Sequence, residues 1–227
     1  MSPLFENAVD SLQTGMQFFR DKRPKFAILL IFHSIELLLK ELLSRNHPIL
    51  IYRNIIRFEN IGINLPKEQR ETLKTLQGKR NRIEHHRYEP HISDADTLGQ
   101  SLKFIMLFME LQLHAKLSQH IDAGLLDEIE RIVLSYNERL DRANYDFEQW
   151  LVETYAGGLD SEEFPGTVDC PICSQTLLVL GEATIGNYCF FCRTKVDAVE
   201  CIECGSTLIP QKEGDDVCDT CTAYMDN

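Results

Sequence analysis

No cysteine occurs before position 170 of this 227-residue chain, so whatever chemistry the long front part carries is done without thiols. The back part is poor in basic charge instead. Residues 169–227 hold 3 Lys and Arg against 10 Asp and Glu, and residues 121–168 hold 3 against 12. Surfaces of that sign are badly suited to gripping phosphates. Residues 1–120 carry 17 basic against 13 acidic side chains, so the net charge of −12 belongs to the back and the mildly basic front can accept an anionic substrate. Also missing is a basic stretch followed by an apolar run at the N-terminus, where Glu6 and Asp10 interrupt the apolar residues; no secretory signal is expected. Long uninterrupted apolar runs are lacking too. Phe26 to Leu43 is the most apolar segment, yet it contains His33, Ser34, Glu36, Lys40 and Glu41, too many ionisable groups for a bilayer-spanning helix. It reads as a buried helix, and no membrane contact is expected. With 44% hydrophobic residues, the chain can bury one core of ordinary size and a small second one.

All eight cysteines lie in the remaining C-terminal stretch, as four Cys-x-x-Cys hooks: Cys170/Cys173, Cys189/Cys192, Cys201/Cys204 and Cys218/Cys221. Each hook places two thiolates on one side of an ion, and two hooks complete a tetrahedron, so the pattern specifies two structural zinc ions. Paired in chain order the spacings suit tandem zinc ribbons, about 169–195 and 199–224, with Thr176–Leu180 as the first strand. An interleaved pairing of hooks is the alternative arrangement; disulfide or redox cysteines are the alternative chemistry. Free thiols imply a reducing, cytoplasmic setting. Four thiolates per ion leave no position for a reactive water, so this zinc is structural. Tyr188, Phe190 and Phe191 are expected to serve the module's core or a protein contact rather than RNA, given the surrounding acidity.

Residues 1–156 read as an all-α domain and 157–168 as a linker into the zinc module at 169–227. Ser2-Pro3 starts a first helix that ends near Arg20. A second, opening at Pro24, has apolar residues all round its axis and should occupy the centre of a bundle. Arg45 to Pro66 shows no sustained period and reads as an irregular connection, with or without a short helix in it. A third helix follows Pro66 and is ended by Pro90, a fourth spans about Asp94 to Gln119, and a fifth spans Leu125 to Tyr155 before Gly157-Gly158. The fold class is thus mainly α, with a small β-rich tail.

Within the third helix, Arg80-Asn81-Arg82-Ile83-Glu84-His85 resembles the R-N-x-x-x-H motif of the HEPN superfamily. A second register, Arg80 to His86 with Tyr88 beyond, resembles the R-x5-H-x-Y form found in HEPN toxins paired with a nucleotidyltransferase antitoxin. The apolar helix Ala27–Lys40, with its embedded glutamate and lysine, is similar to one common in these domains, and the likeness covers roughly residues 1–120. The resemblance implies a HEPN-like bundle that forms a homodimer and cleaves RNA without a metal ion, in defence or toxin biology, from a site composed by both subunits. Arg80 would then meet transition-state charge, His85 or His86 would transfer protons, and Asn81 would position them. The implied partners are RNA and a second copy, with a partner protein or antitoxin on the acidic tail. The competing expectation is a non-catalytic module whose acidic ribbons bind a protein. His33 and Glu36, one turn apart, read either as a satisfied core pair or as groups facing Arg80, and His114 and His120 read as surface residues.

Overall fold

Ser2 starts the chain's first helix as a cap: its Oγ accepts from the Phe5 amide at 3.2 Å, and Pro3 takes the first helical position. In the computed structural model the described residues are 2–46, 65–85 and 94–155, then 166–170, 172–173, 175–182, 185–197, 199–201, 203 and 207–208. The helices are α1 (Pro3–Arg20), α2 (Pro24–Asn46), α3 (Lys67–His85), α4 (Asp94–Gln112) and α5 (Ala123–Tyr155). The expected irregular connection lies largely outside the described residues. Among the described residues no helix is long and apolar enough to cross a membrane.

The chain divides into two compact units, Met1–Tyr136 and Asn137–Asn227. In the first, α2 packs against α1, α3 and α4, the central place its all-round apolar pattern implies. Lys22, with φ of 56°, turns the chain between α1 and α2. The two helices approach closely at Gly15, where an added Cβ would stand 2.7 Å from Ile31 Cγ1 and 3.3 Å from the Ala27 carbonyl oxygen. Leu12, Met16, Ile31, Ile35, Leu38, Leu98, Leu102, Ile105, Phe108 and Ile129 form the centre of one core. Glu41, buried beneath it, accepts from Arg45 Nε at 2.9 Å and from Ser2 Oγ, while Arg45 Nη1 reaches the Leu113 carbonyl at 3.0 Å.

Helix α4 is shorter than its hydrophobic pattern implies. It ends at Gln112 because His114 turns left-handed, with φ of 52°, and the Ala115 amide returns to the Met109 carbonyl at 2.9 Å. A single 3-10 turn, Leu117–Gln119, occupies the last three residues of the expected helix, and 113–116 are not helical. His120 is half-buried rather than fully on the surface: its ring meets Phe5 edge-on at 4.8 Å and its Nδ1 is buried. Helix α5 is capped by Asp122, whose Oδ1 accepts from the Leu125 amide at 2.9 Å.

The second unit begins inside α5, earlier than the boundary expected at residue 156. Leu140, Ala143, Phe147 and Trp150 recur at helical spacing and pack on Leu177, Val179 and Phe190, which draws this end of the helix into the C-terminal core. Strands β1 (Thr167–Val168), β2 (Leu178–Glu182) and β3 (Gly186–Cys189) form an antiparallel sheet in that order. The expected linker 157–168 therefore ends in a sheet strand, Thr167 facing Val179 and Val168 facing Leu178. A separate two-stranded ladder joins β4 (Val199–Glu200) to β5 (Thr207–Leu208).

Candidate functional site

The β2–β3 hairpin carries Cys189 at its end and brings it against the loop holding Cys170 and Cys173. The Cys170 amide donates to the Gln175 carbonyl at 3.0 Å, and the Cys189 amide to the Thr194 carbonyl at 3.1 Å, so each hook is folded back on itself. Behind Cys192, Arg193 closes the turn in the left-handed region, φ 58°, with its amide on the Cys189 carbonyl at 2.8 Å. The four sulfurs of Cys170, Cys173, Cys189 and Cys192 all lie within 4.8 Å of one another. Cys170 Sγ stands 3.7 Å from Cys192 Sγ and Cys173 Sγ stands 3.6 Å from Cys189 Sγ. These distances exclude a disulfide, whose sulfurs are about 2.0 Å apart. They fit the edges of a tetrahedron with metal–sulfur bonds of about 2.3 Å, which measure about 3.8 Å. The hooks at 170 and 189 are thus paired in chain order rather than interleaved.

The sulfurs share protons unequally. Hydrogen bonding with Cys173, then Cys189, brings the Cys170 thiol down to about 7. Contacts with Cys170, then Cys173 and Cys189, hold Cys192 well below the ordinary thiol range. Cys173 and Cys189 are pushed up, in both cases chiefly by the bond toward Cys170 and further by burial. A cluster in which some sulfurs give up protons readily, all four lie within 4.8 Å of one another and two pairs stand at about the edge length of a metal–sulfur tetrahedron, can hold a metal ion. Of the second quartet only Cys201 is described, and it is buried; Cys204, Cys218 and Cys221 lie outside the described residues.

Phe190, directly after Cys189, packs away from the sulfur cluster. Its ring centroid lies 5.3 Å from Phe147, 5.5 Å from Trp150 and 5.2 Å from Tyr188. The aromatic residues of the tail therefore serve a core, and the partner the sequence reading missed is α5. The signal was present: Leu140, Ala143, Phe147 and Trp150 form an apolar stripe, though one that continues the stripe of Leu125, Ile129 and Tyr136 without a break.

In the first unit, Arg80 lies on α3 with its guanidinium carbon 5.6 Å from the centre of the Phe32 ring. Its Nε meets Glu84 Oε1 at 3.1 Å and its Nη1 meets Glu36 Oε1 at 3.6 Å. Glu36 Oε2 is also 3.6 Å from His33 Nδ1. The His33–Glu36 pair is therefore not a sealed core pair: it faces Arg80, and a third of the Arg80 side chain remains open to solvent. Asn81, next along, is exposed. His85 is the last residue of α3, but its side chain lies outside the described structure, as do His86 and Tyr88 entirely. His114 is exposed on the loop after α4.

No family model, characterised protein or solved structure is significantly similar to this chain.

Proposed function

We propose that this protein is a HEPN-like endoribonuclease that works without a catalytic metal, its Arg80 and a motif histidine meeting RNA at a homodimer site. The observation that carries the reading is the setting of Arg80: a side chain one third open to solvent on α3, braced by Phe32 and Glu36 of α2, beside exposed Asn81. A braced planar fork suits a phosphate gaining charge, since little reorganisation is then needed as charge builds. The motif histidine, His85 or His86, would carry protons between the ribose 2′ oxygen and the leaving oxygen. The metal of the tail is zinc in this reading, two ions in all, the second held by Cys201, Cys204, Cys218 and Cys221. It supplies folding energy alone, because four thiolates complete its coordination.

The test is cleavage of labelled RNA by the full chain, with free divalent cations chelated, beside Arg80→Ala. Loss of an oxyanion-type donor costs about 10²–10³ in rate. Equal cleavage by both proteins would end the proposal. A second reading has its own observation: Glu36 and Glu84 already neutralise Arg80. A guanidinium so occupied favours a non-catalytic bundle whose acidic tail binds a protein. That reading expects no RNA turnover and a pulldown that depends on the cysteines and not on Arg80.

A further inference from the structure

One carboxylate joins Arg80 to a residue outside its motif. Glu36 turns one oxygen to Arg80 Nη1 and the other to His33 Nδ1, each at 3.6 Å. Both are ion-pair rather than hydrogen-bond distances. Contacts of this kind shorten when substrate closes on a site. His33 is half exposed, and it lines a cleft of about 270 Å³ between α1 and α2, shared with the polar side chains of Asn7, Asp10, Ser11 and Thr14. The cleft is near the lower end of ligand-sized sites. An imidazole at ion-pair distance from a carboxylate, open to a cleft and sharing that carboxylate with an arginine is an arrangement suited to proton transfer beside an anion.

We infer that His33 is a proton-transfer residue of the Arg80 site and acts in the same chain as Arg80. The inference rests on the RNA-cleaving reading and adds to it. Cleavage needs two proton transfers. The 2′ oxygen attacks phosphorus as its proton passes to a base, and the bond from phosphorus to the 5′ oxygen breaks as that oxygen takes a proton from an acid. The products are a 2′,3′-cyclic phosphate and a 5′-hydroxyl end. With Nδ1 turned to Glu36, Nε2 of His33 is the nitrogen that takes the 2′ proton, and Glu36 stabilises the imidazolium that forms. The motif histidine delivers the other proton. The polar cleft beside His33 then receives the nucleotide whose ribose is attacked.

The experiment is steady-state cleavage by wild type, His33→Ala and His33→Gln, each checked for native helix content. We expect kcat to fall about 10²–10⁴-fold in both variants with KM little changed, the usual size of one acid–base contribution. Added imidazole should restore part of the His33→Ala rate and none of the Arg80→Ala rate. Mixing His33→Ala chains with Arg80→Ala chains should recover nothing, because every chain then lacks one of the two groups. Recovery toward about one quarter of wild type, the share expected if one of two sites in half the re-formed dimers were intact, would overturn the same-chain assignment. Wild-type cleavage matched by His33→Ala would overturn this inference and leave the Arg80 reading standing. Absence of cleavage by wild type overturns both.

Discussion

Removing a metal held by the four sulfurs, the role proposed for them, should be visible at a residue that touches no sulfur. Trp150 is the chain's single tryptophan and lies 5.5 Å from Phe190 and 6.0 Å from Phe147, ring centre to ring centre. Phe190 follows Cys189 directly and its amide holds the Leu177 carbonyl at 2.9 Å, so release of Cys189 frees Phe190 and uncovers the indole. A structural zinc ion, the metal proposed for these four sulfurs, would contribute about 10–16 kcal/mol, as large as the ~5–15 kcal/mol that holds a whole domain folded. The buried side chains of this unit other than cysteine are few: Ala143, Gln175, Leu177, Leu178, Val179 and Phe190 among the described residues. So small a core does not outlast the ion. Titrating the full chain with a strong chelator should therefore red-shift the tryptophan emission in step with metal released to an indicator dye. Far-UV circular dichroism should fall only in part, because α1 to α4 and the start of α5 share a separate core. Cys173→Ala should show the shifted spectrum without chelator. Acid should act in the same direction, since protons compete for the sulfurs: the metal's contribution is present at higher pH and is lost as pH falls and the thiolates protonate. An unshifted emission after complete metal removal would refute the reasoning, as would a metal-free protein in which Trp150 is already buried.

Two further predictions concern the helical unit. An alanine Cβ at Gly99 would stand 2.6 Å from Tyr136 Cβ, and neither atom can rotate away, so α4 and α5 must separate. Overpacking of about 1–3 kcal/mol against about 1 kcal/mol gained in helix propensity gives a net loss in urea denaturation of up to about 2 kcal/mol; a more stable Gly99→Ala would disprove the close approach. Arg45→Ala leaves Glu41, 3% exposed, without its guanidinium. A buried pair broken on one side costs about 3–5 kcal/mol, but the Arg45 side chain is 45% exposed, so about 1–3 kcal/mol is expected, and an unchanged urea midpoint would count against the pairing.

Much of the helical unit was readable because local signals agreed with their tertiary setting. Ser2-Pro3 caps a helix wherever it is put, and the all-round apolar pattern of α2 has no stable place except the middle of a bundle. The end of α4 was not readable in the same way. Leu113 and Leu117 keep a helical period past Gln112, and the left-handed turn at His114 is taken by a residue that does not announce it as glycine would. The hooks of the first cysteine cluster were legible from spacing, since two residues between cysteines let both sulfurs face one point. Their pairing in chain order was not, because spacing alone permits interleaving.

By itself the sequence determined which segments form helices, where the cysteines gather and that the negative charge lies toward the back, because each of these depends on short-range spacing or simple composition. Only the tertiary structure decided how α5 is shared. Its apolar stripe runs unbroken from Leu125 to Trp150, and a stripe carries no mark of which core it will enter; that Leu140 onward belongs with Phe190 follows from contacts between residues far apart in the chain. The same holds for Glu36, whose two oxygens reach Arg80 and His33. The Arg80 contact crosses from one helix to another, a relation that helical periodicity cannot encode.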